Sequence, residues 1–317
     1  LLRIERRMGL GAPLADHLES AAALEAEPLR RADLLVEAGR VRRQREDDAL
    51  RARQLFERAL EADAGRMEAV RWLSTLAGEA GDAAAQARWI AREAELETDE
   101  RRKAVLFVRL AAGQRKEKGG GRASYEQALK HDPDNLEALR GLAPVLRAQK
   151  ALPDLARTLE RLGEVEPDRR QKIERLVALG ELRLLHLKQP DQARAAFEAA
   201  LALAPADLRA LHGRAQTLDP KKDAPTLAET LERQLATTAR GDQRVTLGKR
   251  LATLRQEQLK DPAGAVAALE DVLRLVPDDE DAWRRLRDIH LEGRDWTALA
   301  GAYERQARRT AAPGLRE

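Results

Sequence analysis

A pattern that recurs about every 70 residues constrains the fold of this 317-residue chain more than any other feature. Four similar segments carry the anchor residues Phe56, Tyr125, Phe197 and Leu269, which lie 69, 72 and 72 positions apart. A proline stands eight positions after each of the last three anchors. Because each copy of such a period forms one structural unit, the chain is predicted to be an array of stacked units and not two unrelated globules.

Within each unit, apolar residues recur at the spacing of α-helices. Leu139, Leu142 and Leu146 are three and four positions apart, as on the buried face of a helix. Pro205 cannot continue the helix that carries Phe197 and therefore ends it. No segment alternates apolar and polar residues over a useful length. The sequence thus predicts an all-α fold of about 17 helices, arranged in halves of about 34 to 36 residues.

These halves resemble the tetratricopeptide repeat family. The pattern is a small residue on the second helix, an aromatic four positions on, and a proline eight positions later, as at Ala193, Phe197 and Pro205. Small residues at the crossings let helices approach within about 8 to 10 Å. The resemblance covers nearly the whole chain and implies a right-handed superhelical α-solenoid of about eight helix pairs plus an N-terminal half repeat.

The resemblance predicts one solenoid over residues 1–317, in five units. Their approximate bounds are 12–65, 66–134, 135–206, 207–278 and 279–312. A missing first helix before residues 13–25 and the lack of a polar capping helix predict a fragment of a longer array, with poorly capped ends as the alternative. The unit of Tyr125 is three residues short near a run of three glycines, which predicts either a hinge at 118–122 or missing residues.

The composition and the motifs exclude several classes of protein. The chain has no cysteine, which rules out disulfides and Cys-ligated metals. Its 35% of charged residues balance to a net charge of +3, so it is not a polycation that demands nucleic acid. No apolar stretch is long enough to span a membrane. The five histidines lack metal-ligand spacing, and no phosphate-binding loop occurs. We therefore expect no enzymatic activity, no cofactor and no metal.

In the resembled family, the first helix of each pair lines a concave groove that binds partners. At one equivalent groove position the four units place Arg71, Arg140, His212 and Arg284. Such a row of basic residues could bind the carboxylates of an acidic partner. The alternative is that each of the three arginines pairs with the acidic residue three positions earlier on its own helix, which is Glu68, Glu137 or Asp281. The other basic candidates of the predicted groove site are Arg40, Arg147 and Lys249. The groove also includes Arg43, Glu68, Thr75, Arg115, Glu137, Glu181, Arg209, Gln216, Asp281 and Asp288.

The resemblance therefore implies a non-enzymatic scaffold that binds another protein or a peptide segment, possibly an acidic one, on its concave groove. Two alternatives stay open. One is self-association, in which uncapped repeat ends stack on other copies. The other is an RNA-binding solenoid, disfavoured because the few aromatic residues occupy core positions. The richness in Arg, Ala and Leu suggests a bacterial source; the cytoplasm is favoured as the compartment, and the bacterial envelope stays open.

Overall fold

The computed structural model describes residues 11–45, 47–116 and 119–310, which form 17 α-helices and no strand. The helices are α1 (Gly11–Leu24), α2 (Pro28–Arg45), α3 (Ala49–Ala62), α4 (Met67–Glu79), α5 (Ala83–Leu96), α6 (Glu100–Gly113), α7 (Arg122–His131), α8 (Leu136–Ala148), α9 (Leu152–Val165), α10 (Arg169–Glu181), α11 (Pro190–Leu203), α12 (Leu208–Thr217), α13 (Ala224–Thr237), α14 (Gly241–Glu257), α15 (Pro262–Leu275), α16 (Glu280–Glu292) and α17 (Trp296–Thr310). A π-helical turn, Leu182–His186, follows α10. The predicted all-α solenoid fold is confirmed.

The helix boundaries follow from local sequence signals. The only asparagine, Asn135, caps α8, because its side-chain oxygen accepts a hydrogen bond from the N–H of Ala138 at 3.0 Å. Asp207 and Asp279 cap α12 and α16 in the same way, each at 2.9 Å. These caps satisfy N–H groups that have no partner within the helix. The preceding helices α7, α11 and α15 each end two residues before a proline, as predicted.

The chain divides into two compact units, Leu1–Ala151 and Leu152–Glu317. Within each unit, every described helix packs against its neighbours along the chain. First helices also contact each other directly where α6 meets α8 and where α10 meets α12. Local packing of this kind is how repeat arrays bury their apolar stripes, since no helix pair can bury both faces alone.

The four anchor residues lie in the core and are at most 1% exposed. The Phe197 ring fills the space that side chains at Gly180 and Gly213 would need. The Phe56 ring does the same to Gly39, and on its other side it stacks on Trp72 with ring centroids 5.6 Å apart. An aromatic anchor therefore requires a glycine, or a stacked ring, on the helices beside it.

The glycine run predicted as a hinge is only partly described, because Lys118 lies outside the described residues. Gly121 has a φ of +76°, and a side chain there would collide with the backbone of Ala111. Gln149, the C-cap of α8, donates from Nε2 to the carbonyl of Gly119 at 3.2 Å. Gly121 is thus required for close packing against α6. The hinge itself stays a prediction.

Two kinds of feature are absent from the part of the chain that the structure describes. None of its helices is both long and apolar enough to cross a bilayer. Its His, Asp and Glu side chains form no group of three or more that could hold a metal ion.

Candidate functional site

The predicted groove residues differ in how they are held, and Arg71 is bound across its helix pair. Its Nε donates to Glu93 on α5 at 2.8 Å, and a second nitrogen lies 3.5 Å from Glu97. Both glutamates are buried, whereas half of the Arg71 side chain is exposed. The acidic partner is therefore on the neighbouring helix and is not Glu68, which stands three positions earlier on α4.

Arg284 is bound on its own helix, where it donates to Asp281 at 2.6 Å. Lys249 lies 2.7 Å from Asp279 and 3.3 Å from Asp281. The hydrogen bond from Arg284 lowers the pKa of Asp281. Burial disfavours the charge of Lys249, but the hydrogen bonds with the two aspartates outweigh it and raise the pKa of Lys249. These two cations are thus already neutralised by acids of α16 and its N-cap.

The remaining candidates lie in two kinds of surroundings. Arg40 and Arg147 are exposed and form no ion pair with the residues that the structure describes. Arg140 on α8 lines a cavity. His212 lines a second cavity on α12, where its Nε2 lies 2.9 Å from Nε2 of Gln216. Equivalent positions therefore present different chemistry along the groove.

The first cavity has a volume of about 860 Å³ and lies within the first compact unit. Its lining residues are Val108, Ala112, Arg115, Gly119, Gly120, Tyr125, Glu137, Arg140, Gly141, Pro144, Val145, Ala148 and Gln149. Two guanidinium groups, those of Arg115 and Arg140, stand against the single carboxylate of Glu137. The lining of the first cavity is thus net positive.

The second cavity has a volume of about 770 Å³ and lies within the second compact unit. Its lining residues are Glu181, Leu184, Leu185, Phe197, Leu208, Arg209, His212, Gly213, Gln216, Gln234, Thr238, Asp242, Gln243, Thr246 and Leu247. Leu185 and Leu208 are 54% and 41% exposed. Arg209 donates to both oxygens of Glu181 at 2.9 Å. Because that pair is internally neutralised, apolar surface and Asp242 dominate the chemistry of the second cavity.

Sequence reasoning did not identify several residues of the second cavity, among them Leu185, Leu208 and Gln234. Gln234 is 3% exposed, and its Oε1 has no hydrogen-bond partner. The available signal was a polar residue at a buried register position of α13, between Leu231 and Leu235. Leu185 and Leu208 carry no such signal, since isolated leucines on a helix normally belong to the core.

Comparison with known proteins relates these helix pairs to a described repeat. A family model described as a tetratricopeptide repeat matches residues 174–207, which include most of α10 and all of α11. No curated protein matches the chain.

Several solved structures are similar to the chain at low identity. The C-terminal part of a TPR repeat-containing protein from Cytophaga hutchinsonii is 16% identical, over 80% of this chain and 97% of that one, with a TM-score of 0.39. YrrB, described as a TPR protein with an unusual peptide-binding site, is 16% identical over 64% of this chain and 100% of its own, with a TM-score of 0.38. PilF of Pseudomonas aeruginosa is 18% identical over 82% and 97%, with a TM-score of 0.35.

Proposed function

Because this chain is a helical-repeat protein of the tetratricopeptide repeat family, we propose that it is a non-enzymatic scaffold that binds a segment of a partner protein on its groove. The groove face is the one lined by the first helix of each pair. Each cavity holds a partner segment by side-chain contacts.

The observation that supports this proposal is that each compact unit has a cavity of several hundred Å³ lined largely by residues of first helices. Binding sites in proteins are typically concave and of this size, with apolar walls and a few polar groups. The exposed leucines of the second cavity and the exposed Arg115 of the first give these cavities recognition chemistry that the core does not use. The first cavity suits acidic side chains, because its lining is net positive.

Peptide selection tests the proposal. The whole chain is immobilised and used to select peptides from a random library displayed on phage. The selected peptides are then measured by fluorescence anisotropy against Arg140→Glu, which changes the first cavity, and His212→Glu, which changes the second. We expect one of the two variants to weaken each peptide about tenfold, as loss of one charged contact does.

The matched control is Arg274→Glu, an equally large change at an exposed residue of α15 that lines neither cavity. This variant should bind every selected peptide as the parent chain does. If no peptide is selected, or if the control weakens binding as much as the groove variants, the groove is not the binding surface.

Self-association is a second candidate, favoured by apolar side chains on α16 and α17. Leu291, Trp296 and Tyr303 are each more than half exposed. Sedimentation velocity across a hundredfold range of concentration tests this candidate. Growth of the sedimentation coefficient that Trp296→Glu abolishes would support it, whereas a constant monomer would eliminate it.

A further inference from the structure

The second cavity contains a hydrogen-bond acceptor, on Gln234, whose two polar equivalents in the repeat each accept from an arginine. Position 234 corresponds to 93, 162 and 306 in the other units. Glu93 accepts from Arg71, and Gln306 accepts from Arg287. In both cases the guanidinium comes from the first helix of the same pair. The remaining copy, Leu162, is apolar and needs no donor.

Gln234 departs from this pattern because neither of the two equivalent positions on its first helix, 212 and 215, carries an arginine. The position of Arg71 is taken by His212, and the position of Arg287 is taken by Ala215. His212 contacts Gln216 on its own helix and does not reach Gln234. The Gln234 Oε1 is thus left without a donor, although a buried polar atom is normally hydrogen-bonded.

The surroundings of this acceptor suit a donor that arrives from outside. The Gln234 side chain lines the second cavity, so a donor that reaches it must enter there. Asp242 lines the same cavity, and its one ion pair is at 3.3 Å to the exposed Arg240. Such exposed pairs contribute little and exchange readily for another cation. Leu185 and Leu208 offer adjacent apolar surface for an aliphatic side chain.

We propose that the second cavity binds an extended segment of a partner protein that inserts an arginine, which donates to Gln234 Oε1, and that lays a neighbouring aliphatic side chain on Leu185 and Leu208. The guanidinium takes the place that Arg71 and Arg287 occupy in the other units, with Asp242 as its counter-charge. This inference rests on the groove binding proposed above and adds the chemistry of the residue that is recognised.

The probe is a short labelled peptide, acetylated and amidated at its ends, with Leu-Arg-Leu at its centre. Its partner probe carries norleucine in place of arginine, which keeps the length and removes the donor. Fluorescence anisotropy with the full chain should show about tenfold tighter binding of the arginine peptide, as expected for a hydrogen bond between a charged donor and a buried acceptor. The variant Gln234→Leu should bind both peptides equally and weakly.

Thermal unfolding provides a measurement that does not need a peptide. Gln234→Leu removes an unsatisfied buried acceptor and keeps most of the volume, so its Tm should match or exceed that of the parent chain. A clear drop in Tm would mean that Oε1 is already bonded in the free protein, which would overturn the proposal. Gln234→Met, a more flexible side chain of similar length, should behave in the same way.

The results separate this inference from the proposed function. Peptides selected in the display experiment that bind the second cavity without arginine, and that tolerate Gln234→Leu, would overturn the arginine site and leave groove binding intact. An arginine preference that persists in Gln234→Leu would also overturn it. Failure to select any groove-binding peptide would count against the proposed function itself.

Discussion

The two cavities occupy equivalent register positions, but their chemistry is nearly opposite. Gly141 faces the anchor Tyr125 in one, and Gly213 faces the anchor Phe197 in the other. At the equivalent positions around these glycine–anchor contacts, the first cavity has Arg140 and Arg115, whereas the second has His212 and Leu184. The repeat therefore fixes where a cavity forms, because anchor and glycine set the spacing of first helices. A few side chains on those helices then decide what each cavity can bind.

The largest effect, on stability, should come from disrupting the contact between an anchor ring and its glycine. A Cβ at Gly213 would overlap the Phe197 ring, and the buried ring has nowhere to move. Gly213→Ala should therefore lower the free energy of unfolding by about 1 to 3 kcal/mol, measured by urea denaturation. Gly141→Ala should cost a similar amount through Tyr125.

The control for this prediction is Gly301→Ala on α17, where an added Cβ meets nothing within 4 Å. There the better helix propensity of alanine should raise stability by about 0.5 to 1 kcal/mol. Equal changes in the free energy of unfolding at Gly213 and Gly301 would show that the anchor rings do not require glycine beside them.

We expect an effect of intermediate size, on peptide binding, from giving the second cavity an arginine like the one on α4 that donates to the buried acceptor on α5. His212→Arg should supply the donor that Arg71 provides to Glu93, and thereby occupy Gln234. Binding of the Leu-Arg-Leu peptide should weaken about tenfold, since the introduced guanidinium competes for the same acceptor. His212→Lys adds the same charge without the forked donor, so it should weaken binding less. Equal losses of affinity in the two variants would show that the added positive charge, and not the forked donor, weakens peptide binding.

The smallest effect, on the pH dependence of stability, should appear at Arg284, which pairs with Asp281 on its own helix. The pKa of Asp281 lies below its ordinary value of 3.8, chiefly because Arg284 donates to it. Because the pKa of Asp281 is lowered in the folded state, its pair with Arg284 stabilises the protein at pH values above 3.8. This stabilisation is lost as the pH falls through the lowered pKa. Asp281→Asn should therefore narrow the difference in unfolding free energy between pH 7 and pH 3.

Arg284→Gln should narrow the same difference, because it removes the donor that lowers the pKa of Asp281. Urea denaturation at the two pH values measures both variants. An unchanged difference in both would mean that this exposed pair does not contribute to acid sensitivity, as many surface pairs do not.

Much of the fold could be predicted from the sequence because its signals are local. Apolar spacing gave the helices, and the prolines at 133, 205 and 277 gave three helix ends. The caps at Asn135, Asp207 and Asp279 are equally local, since each bonds to an N–H three residues on. These features depend on residues within one or two helical turns, so a single sequence carries them.

The candidate site was predicted only in part. Of the four equivalent groove positions, Arg140 and His212 line cavities, while Arg71 and Arg284 are engaged by carboxylates. Repeat alignment could place these residues on one face. It could not show that the partner of Arg71 is Glu93 on the next helix, because a contact between helices depends on how they pack and on which rotamers fit.

The sequence by itself determined the period, the helices and the residues that share a face, since all three follow from backbone geometry and local side-chain preference. Only the tertiary structure decided which partners those residues contact. A guanidinium meets Glu93 and Gln306 but not Gln234, and that difference arises from side chains brought together across two helices. A buried acceptor without a donor is a property of packing, and it is this property that distinguishes one cavity from its equivalents.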